Sequence, residues 1–127
     1  MTATRLRPFT DVVDAIKRLA VERPDRVADS QYFHGDGIPC CIVGTALVEA
    51  GVETPVPDED GIWPLWLDSA ADELPWSRLG IAEPTEQQAK WIRAVQRNQD
   101  GEDKNDRREE LRRWGLAVDV ASEVYPL

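Results

Sequence analysis

The stretch PCCIVGTALVEAG, from Pro39 to Gly51, decides the fold because its thirteen residues include a single charge. Pro39 suits the first turn of a helix, and Gly51 suits a C-terminal cap. A helix without a polar face is buried on nearly all sides, so we expect a central apolar helix at about residues 40–50. The residues from Ile42 to Thr45 could equally form a strand, and helix is the favoured interpretation.

Amphipathic patterns on both sides of this stretch predict further helices. Apolar residues recur with helical spacing at about residues 11–22, and Thr10 precedes them as an expected N-cap. Thr85 and Gln88 have the spacing of a capping box, in which each residue bonds the other's backbone N–H. An apolar stripe follows them and predicts a helix that runs to about residue 99.

Shorter patterns complete a helical fold. We expect a short helix at about residues 68–74, and another that Asp106 caps and that carries Trp114, with Gly115 as an interruption or a C-cap. We expect residues 116–127 to form a short C-terminal helix. The chain of 127 residues is long enough for one hydrophobic core. The sequence therefore predicts an all-α or mostly α single domain of four to six helices around the central apolar helix.

A long acidic, proline-rich loop is predicted at about residues 52–65, where three prolines exclude a continuous helix. The acidity extends further, because the residues from Glu49 to Glu86 include ten acidic residues and one basic residue, Arg78, for a net charge of −9. Such a surface repels phosphate groups, so direct nucleic-acid binding through it is disfavoured. It is either a solvated face or a surface that attracts a basic partner.

The loop also contains aromatic residues that suit a protein interface. Trp63 and Trp66 adjoin the acidic side chains of Asp58, Glu59 and Asp60. Burial is the more common fate of tryptophan, but an exposed tryptophan beside carboxylates suits a protein contact. The leading interpretation is a non-enzymatic protein-interaction domain that binds another protein, with a basic surface, through these five residues. A DNA-mimicking face that binds a DNA-binding protein is a variant of this interpretation.

The single histidine and the two cysteines lie close together in the sequence, as His34, Cys40 and Cys41. A cysteine at a helix N-terminus has a lowered pKa, and a nearby imidazole could complete a thiolate–imidazolium pair. The alternative interpretation is therefore a small thiol-dependent enzyme, or an anion- or ligand-binding protein that uses the glycine-rich loop from His34 to Cys41. Against it, a cysteine in an apolar helix behaves as a small hydrophobic residue.

The segment from Asn98 to Glu109 lies between two predicted helices and invites comparison with a calcium-binding hand. Oxygen-bearing side chains occupy several ligand positions, but Asp103 stands where that loop requires glycine, and Lys104 replaces the next ligand. The cysteines with one histidine are also a poor metal site. We therefore expect neither a metal nor another cofactor.

Three further features bear on the compartment. No apolar run reaches the roughly 20 residues that span a bilayer. The N-terminal residues Arg5 and Arg7 are not followed by the apolar block of a secretory signal. Adjacent cysteines close no useful disulfide loop, so reduced thiols are expected. These features predict a cytoplasmic protein.

Two motifs resemble those of small uncharacterised proteins of actinobacteria and their phages. The first is a Cys-x-x-Gly-x-x-Leu helix, and the second is a later apolar helix that ends in a Gln-Asp turn. The matching residues are Cys41, Gly44 and Leu47 in the first motif and Trp91, Val95, Gln96, Gln99 and Asp100 in the second. The resemblance covers about a third of the chain. It implies a small helical accessory protein and carries over no catalytic residue.

Overall fold

The computed structural model describes residues 5–35, 37–101 and 108–127, and it confirms the predicted mostly helical, single-domain fold. Four α-helices contain eight or more residues, and a fifth has a single turn. In chain order they are α1 (Phe9–Glu22), α2 (Ile42–Glu49), α3 (Glu86–Asp100), α4 (Arg108–Leu111) and α5 (Trp114–Val124). None of these described helices is long and apolar enough to cross a membrane.

The central helix α2 is confirmed as a helix, and it begins two residues later than the predicted 40–50. Cys41 is its N-cap, and the Cys41 Sγ atom accepts a hydrogen bond from the Gly44 N–H at 3.4 Å. Pro39 does not lie in the first turn, so that expectation is wrong. It instead forms an isolated antiparallel bridge with Phe33, which keeps the backbone extended up to the cap. Gly51 follows the helix with a φ of +89°.

Both α1 and α3 are confirmed as helices, but only α3 has the N-cap that the sequence predicted. The α1 helix begins at Phe9, so Thr10 lies inside it and is not the N-cap that we expected. Phe9 is buried edge-to-face against Trp76, with ring centroids 4.8 Å apart, and this packing favours the earlier start. The capping box of α3 is confirmed, because Thr85 and Gln88 each bond the other's backbone N–H.

The segment between the acidic loop and α3 differs from its prediction of one short helix at 68–74. It forms three separate 3₁₀ turns, at Leu65–Asp68, Ala71–Glu73 and Trp76–Leu79. Pro64 and Pro75 occupy the N-caps of the first and third turns. Because proline cannot donate a helical hydrogen bond, Pro75 separates the second turn from the third.

The C-terminal helix also begins differently from its prediction. Gly115 neither interrupts a helix nor caps one, because it lies in the first turn of α5. A Cβ atom at Gly115 would lie 2.9 Å from the Cβ of Pro24, so the glycine permits a close approach of α5 to the segment at Pro24. The helical structure is interrupted instead at residues 112 and 113, before Trp114. The predicted cap Asp106 lies outside the described residues.

The hydrophobic core is a single cluster to which every long helix contributes. The α3 helix packs against α5, and α1 packs against both α2 and α5. Three tryptophans are fully buried at its centre, namely Trp76, Trp91 and Trp114. From Glu53 to Ala70 every residue except Pro55 is exposed or partly exposed, so this segment lies at the surface.

Candidate functional site

The acidic loop has a fixed tip. The Oδ1 atom of Asp58 accepts hydrogen bonds from the backbone N–H groups of Asp60 and Ile62, both at 2.9 Å. The Asp58 N–H in turn donates to the Ile62 carbonyl at 2.9 Å, and Gly61 takes a φ of +78° that favours glycine. The turn leaves the side chains of Asp58, Glu59 and Asp60 exposed to solvent.

Large apolar side chains are exposed on the same loop. Val56 is 72% exposed, Ile62 59% and Leu65 84%. Single exposed apolar residues are common on protein surfaces, but three within ten residues of a fixed loop are a feature of contact surfaces. The sequence marks the carboxylates and the tryptophans as contact candidates, but it does not mark these three residues. Their positions within an irregular acidic loop gave no periodic signal that could have marked them.

Trp63 and Trp66 are half-buried, which lies between the two fates that the sequence left open. Trp66 packs against Tyr32 and Phe33, with ring centroids 6.2 and 6.4 Å apart. It therefore anchors the loop to the core while part of its ring stays accessible. On its other side it lines a groove of about 490 Å³ together with Pro55. Among the predicted contact residues, Trp66 thus packs on the core, and Asp58, Glu59 and Asp60 are exposed at the tip of the loop.

The alternative site has a structure that disfavours thiol chemistry. Both Cys40 and Cys41 are free and buried, whereas His34 is exposed. Burial raises the pKa of the Cys41 thiol to about 12, so the thiol stays neutral at physiological pH. The His34 N–H donates to the Ile38 carbonyl, and the Gly37 N–H donates to the His34 carbonyl, both at 2.9 Å. His34 thus takes part in backbone hydrogen bonds, and Cys41 caps α2. The burial of both cysteines disfavours a thiolate–imidazolium pair with His34.

A second cavity, a polar cleft of about 520 Å³, lies beside α3. We call it the α3 cleft. Residues 30–33 and 67–70 form its walls, and the side chains of Arg93, Gln96 and Asp100 line it from α3. These three positions lie on one face of the helix, spaced three and four residues apart. This cleft was not predicted from the sequence.

Hydrogen bonds of Gln96 hold the α3 cleft together. Its Nε2 atom donates to the Tyr32 hydroxyl at 2.7 Å, and its Oε1 atom accepts from the Ala71 N–H at 2.7 Å and from Arg93 at 3.2 Å. The Tyr32 hydroxyl donates onward to the Ser69 carbonyl at 2.7 Å. Burial raises the pKa of Tyr32, so this hydroxyl stays protonated and remains a donor. The network fixes both walls of the cleft against α3.

The far end of the α3 cleft is fixed by a second glutamine. The Gln99 side chain is fully buried, and its Oε1 atom accepts from the Ile42 N–H at the start of α2 at 2.9 Å. Its Nε2 atom donates to the Oδ1 atom of Asp100 at 2.8 Å. Both glutamines lie within the apolar stripe of α3, and polar residues in such a stripe were the one sequence signal that could have pointed to the cleft.

The structure also bears on metal binding. In residues 5–35, 37–101 and 108–127, no group of three or more His, Cys, Asp or Glu side chains is arranged to hold a metal ion. The calcium-like segment from Asn98 to Glu109 lies largely outside the described residues.

Comparisons with known proteins do not assign this chain to a group. No protein-family model, no curated protein and no solved structure matches it.

Proposed function

We propose that this protein is a non-enzymatic, cytoplasmic interaction domain that binds a basic surface of another protein through its acidic loop. The observation that supports it best is the exposure of Val56, Ile62 and Leu65 beside three exposed carboxylates on a loop with a hydrogen-bonded tip. Protein interfaces combine an apolar centre with a polar rim, and a preformed loop loses little conformational entropy on binding. The negative rim favours a basic partner.

One concrete form of this function is a phage-encoded modulator that acts on a host protein. The resemblance to proteins of actinobacteria and their phages supports this form, and it makes an actinobacterial lysate the suitable source of a partner. A DNA-binding protein is one class of partner with the required basic surface, in which case the acidic face mimics DNA.

Charge reversal of the loop tip tests the proposal. We expect the variant carrying Asp58→Lys, Glu59→Lys and Asp60→Lys to lose a partner that the wild-type protein captures from lysate, because attraction becomes repulsion. The captured protein is then purified, and its Kd for both chains is measured. We expect the affinity to fall at least about tenfold, the factor that corresponds to roughly 1.4 kcal/mol.

A matched control reverses three exposed acidic residues on the helices, Asp14 on α1 with Asp119 and Glu123 on α5. It changes the net charge by the same amount and leaves the loop intact. We expect this control to retain the partner. A partner that both variants bind equally, or that both lose equally, would contradict the acidic loop as the contact surface.

A further inference from the structure

The α3 cleft is where this chain places its buried polar side chains. Among the described residues, Gln96 and Gln99 are the two that are polar and buried. Gln96 lines the cleft, and Gln99 bonds the carboxylate of Asp100, which lines it as well. Burying an amide is unfavourable unless its hydrogen bonds are satisfied, and apolar residues at either position would extend the stripe of α3 at less cost. The packing of α3 alone therefore does not explain why Gln96 and Gln99 are glutamines.

The cavity has the size of a binding site, and its lining is mostly polar. Its volume of about 520 Å³ lies within the range of small-ligand sites, which combine apolar walls with a few fixed polar groups. Phe33 and Leu67 supply apolar wall, and the Tyr32 hydroxyl and the Gln96 amide are fixed polar groups. The Gln96 network sets the width of the cleft before any ligand binds.

The charges of the lining favour a cation. Asp68 and Asp100 contribute two carboxylates, against one guanidinium from Arg93. That guanidinium bonds Gln96, and its Nε atom lies 3.9 Å from a carboxylate oxygen of Asp72. One wall of the cleft, residues 67–70, also belongs to the segment from Glu49 to Glu86 with its net charge of −9. An ammonium or guanidinium group therefore gains more from this lining than an anion does.

The position of the cleft indicates where such a cation comes from. The 3₁₀ turn Leu65–Asp68 begins at the most exposed apolar residue of the acidic loop and ends in the cleft wall. A partner segment that covers Leu65 needs to extend by one such turn, about 6 Å, to bring a side chain beside Asp68. We propose that the α3 cleft anchors a lysine or arginine side chain of the basic partner, an inference that rests on the proposed function.

A small probe tests the cleft without the partner. N-acetyl-arginine amide carries one guanidinium, and N-acetyl-citrulline amide is its uncharged isostere. In ¹⁵N–¹H spectra of the full chain, we expect the arginine probe to shift the signals of the Ala71 amide and the Gln96 side chain saturably. We expect the citrulline probe to leave them in place. Equal shifts with both probes, or none with the arginine probe at millimolar concentration, would overturn the proposal.

Two variants locate the binding within the cleft. Asp100→Asn removes the charge and keeps an oxygen that accepts from Gln99, and Asp68→Asn changes an exposed residue of the wall. We expect each to weaken the arginine probe about tenfold, whereas Asp14→Asn on α1 leaves it unchanged. If neither cleft variant weakens the probe, it binds elsewhere and the inference fails.

The purified partner distinguishes this inference from the proposed function. We expect the double variant of Asp68→Asn and Asp100→Asn to lower the partner's affinity about tenfold while the control Asp14→Asn keeps it. If the charge-reversed loop tip loses the partner and the cleft double variant keeps it, the proposed function stands and the anchor is refuted. The cleft would then be a site for a free small cation whenever the arginine probe still binds it.

Discussion

At the scale of single residues, Gly44 sets the position of the central helix. A Cβ atom at this position would overlap the backbone carbonyl group of Tyr32. That carbonyl accepts a hydrogen bond from the Cys40 N–H at 2.9 Å, so it cannot move aside without breaking the approach to α2. The sequence marks Gly44 only as a small residue in a motif. The structure shows that the backbone of Tyr32 packs against it.

Replacement of this glycine is the test at the residue scale. We expect Gly44→Ala to lower the free energy of unfolding by about 3 kcal/mol, because the added methyl group must displace backbone rather than a flexible side chain. Urea denaturation measures the change. Gly35→Ala is the control, since a Cβ there meets nothing within 4 Å. A Gly44→Ala protein as stable as the control would contradict the close packing of α2 on the Tyr32 segment.

Cys41 illustrates how tertiary structure changes the meaning of a residue. A cysteine at a helix N-terminus has a lowered pKa when water and positive groups reach it. Here the thiol is buried, and desolvation outweighs the bond from the Gly44 N–H, so its pKa rises to about 12. The same side chain that the sequence marked as a candidate nucleophile acts as the N-cap of α2.

At the scale of elements, α3 connects the parts of the molecule that the chain order separates. Its apolar stripe packs against α5, while Gln96 on the same helix bonds residues 25 positions before it at Ala71 and 64 positions before it at Tyr32. The amphipathic pattern predicted the helix and its capping box. It did not predict these bonds, because a hydrogen bond to a distant backbone group leaves no periodic trace in the sequence.

Removal of the Gln96 amide tests this connecting role. We expect Gln96→Ala to lower the free energy of unfolding by about 2 kcal/mol, since it leaves the buried Ala71 N–H without its acceptor. Hydrogen exchange of the Ala71 amide is expected to become faster. Gln87→Ala on the exposed side of α3 is the control and is expected to cost less than about 0.5 kcal/mol. Unchanged exchange at Ala71 would show that the wall of the α3 cleft does not depend on Gln96.

At the scale of the whole molecule, the charge is segregated rather than spread. The residues from Glu49 to Glu86 carry a net charge of −9, which equals the net charge of the entire chain. This segment comprises the acidic loop and the 3₁₀ turns, and its acidic residues are exposed. Like charges in one region repel each other in the folded state, and the same charges attract a basic partner.

Salt weakens both the repulsion within the folded protein and the attraction to a basic partner. Added salt is therefore expected to increase stability and to weaken binding. Raising sodium chloride from low ionic strength to about 0.5 M shortens the Debye length to roughly 4 Å and screens both interactions. We expect the free energy of unfolding to rise by about 1 kcal/mol while the partner's Kd increases. Urea denaturation and binding at two salt concentrations measure the pair. The charge-reversed loop tip should show a smaller increase in stability, and a wild-type protein that salt destabilises would contradict the repulsion.

The sequence by itself determined the helical class, the apolar central helix, the capping box of α3 and the acidity of one surface. Each of these depends on local chemistry or on a period of 3.6 residues, which is visible in one dimension. The tertiary structure alone decided the start of α2, the burial of Cys41 and the α3 cleft. These depend on contacts between residues far apart in the chain, such as Phe33 with Pro39 and Gln96 with Tyr32. Burial and long-range hydrogen bonding exist only after the helices have packed, and no local pattern encodes them.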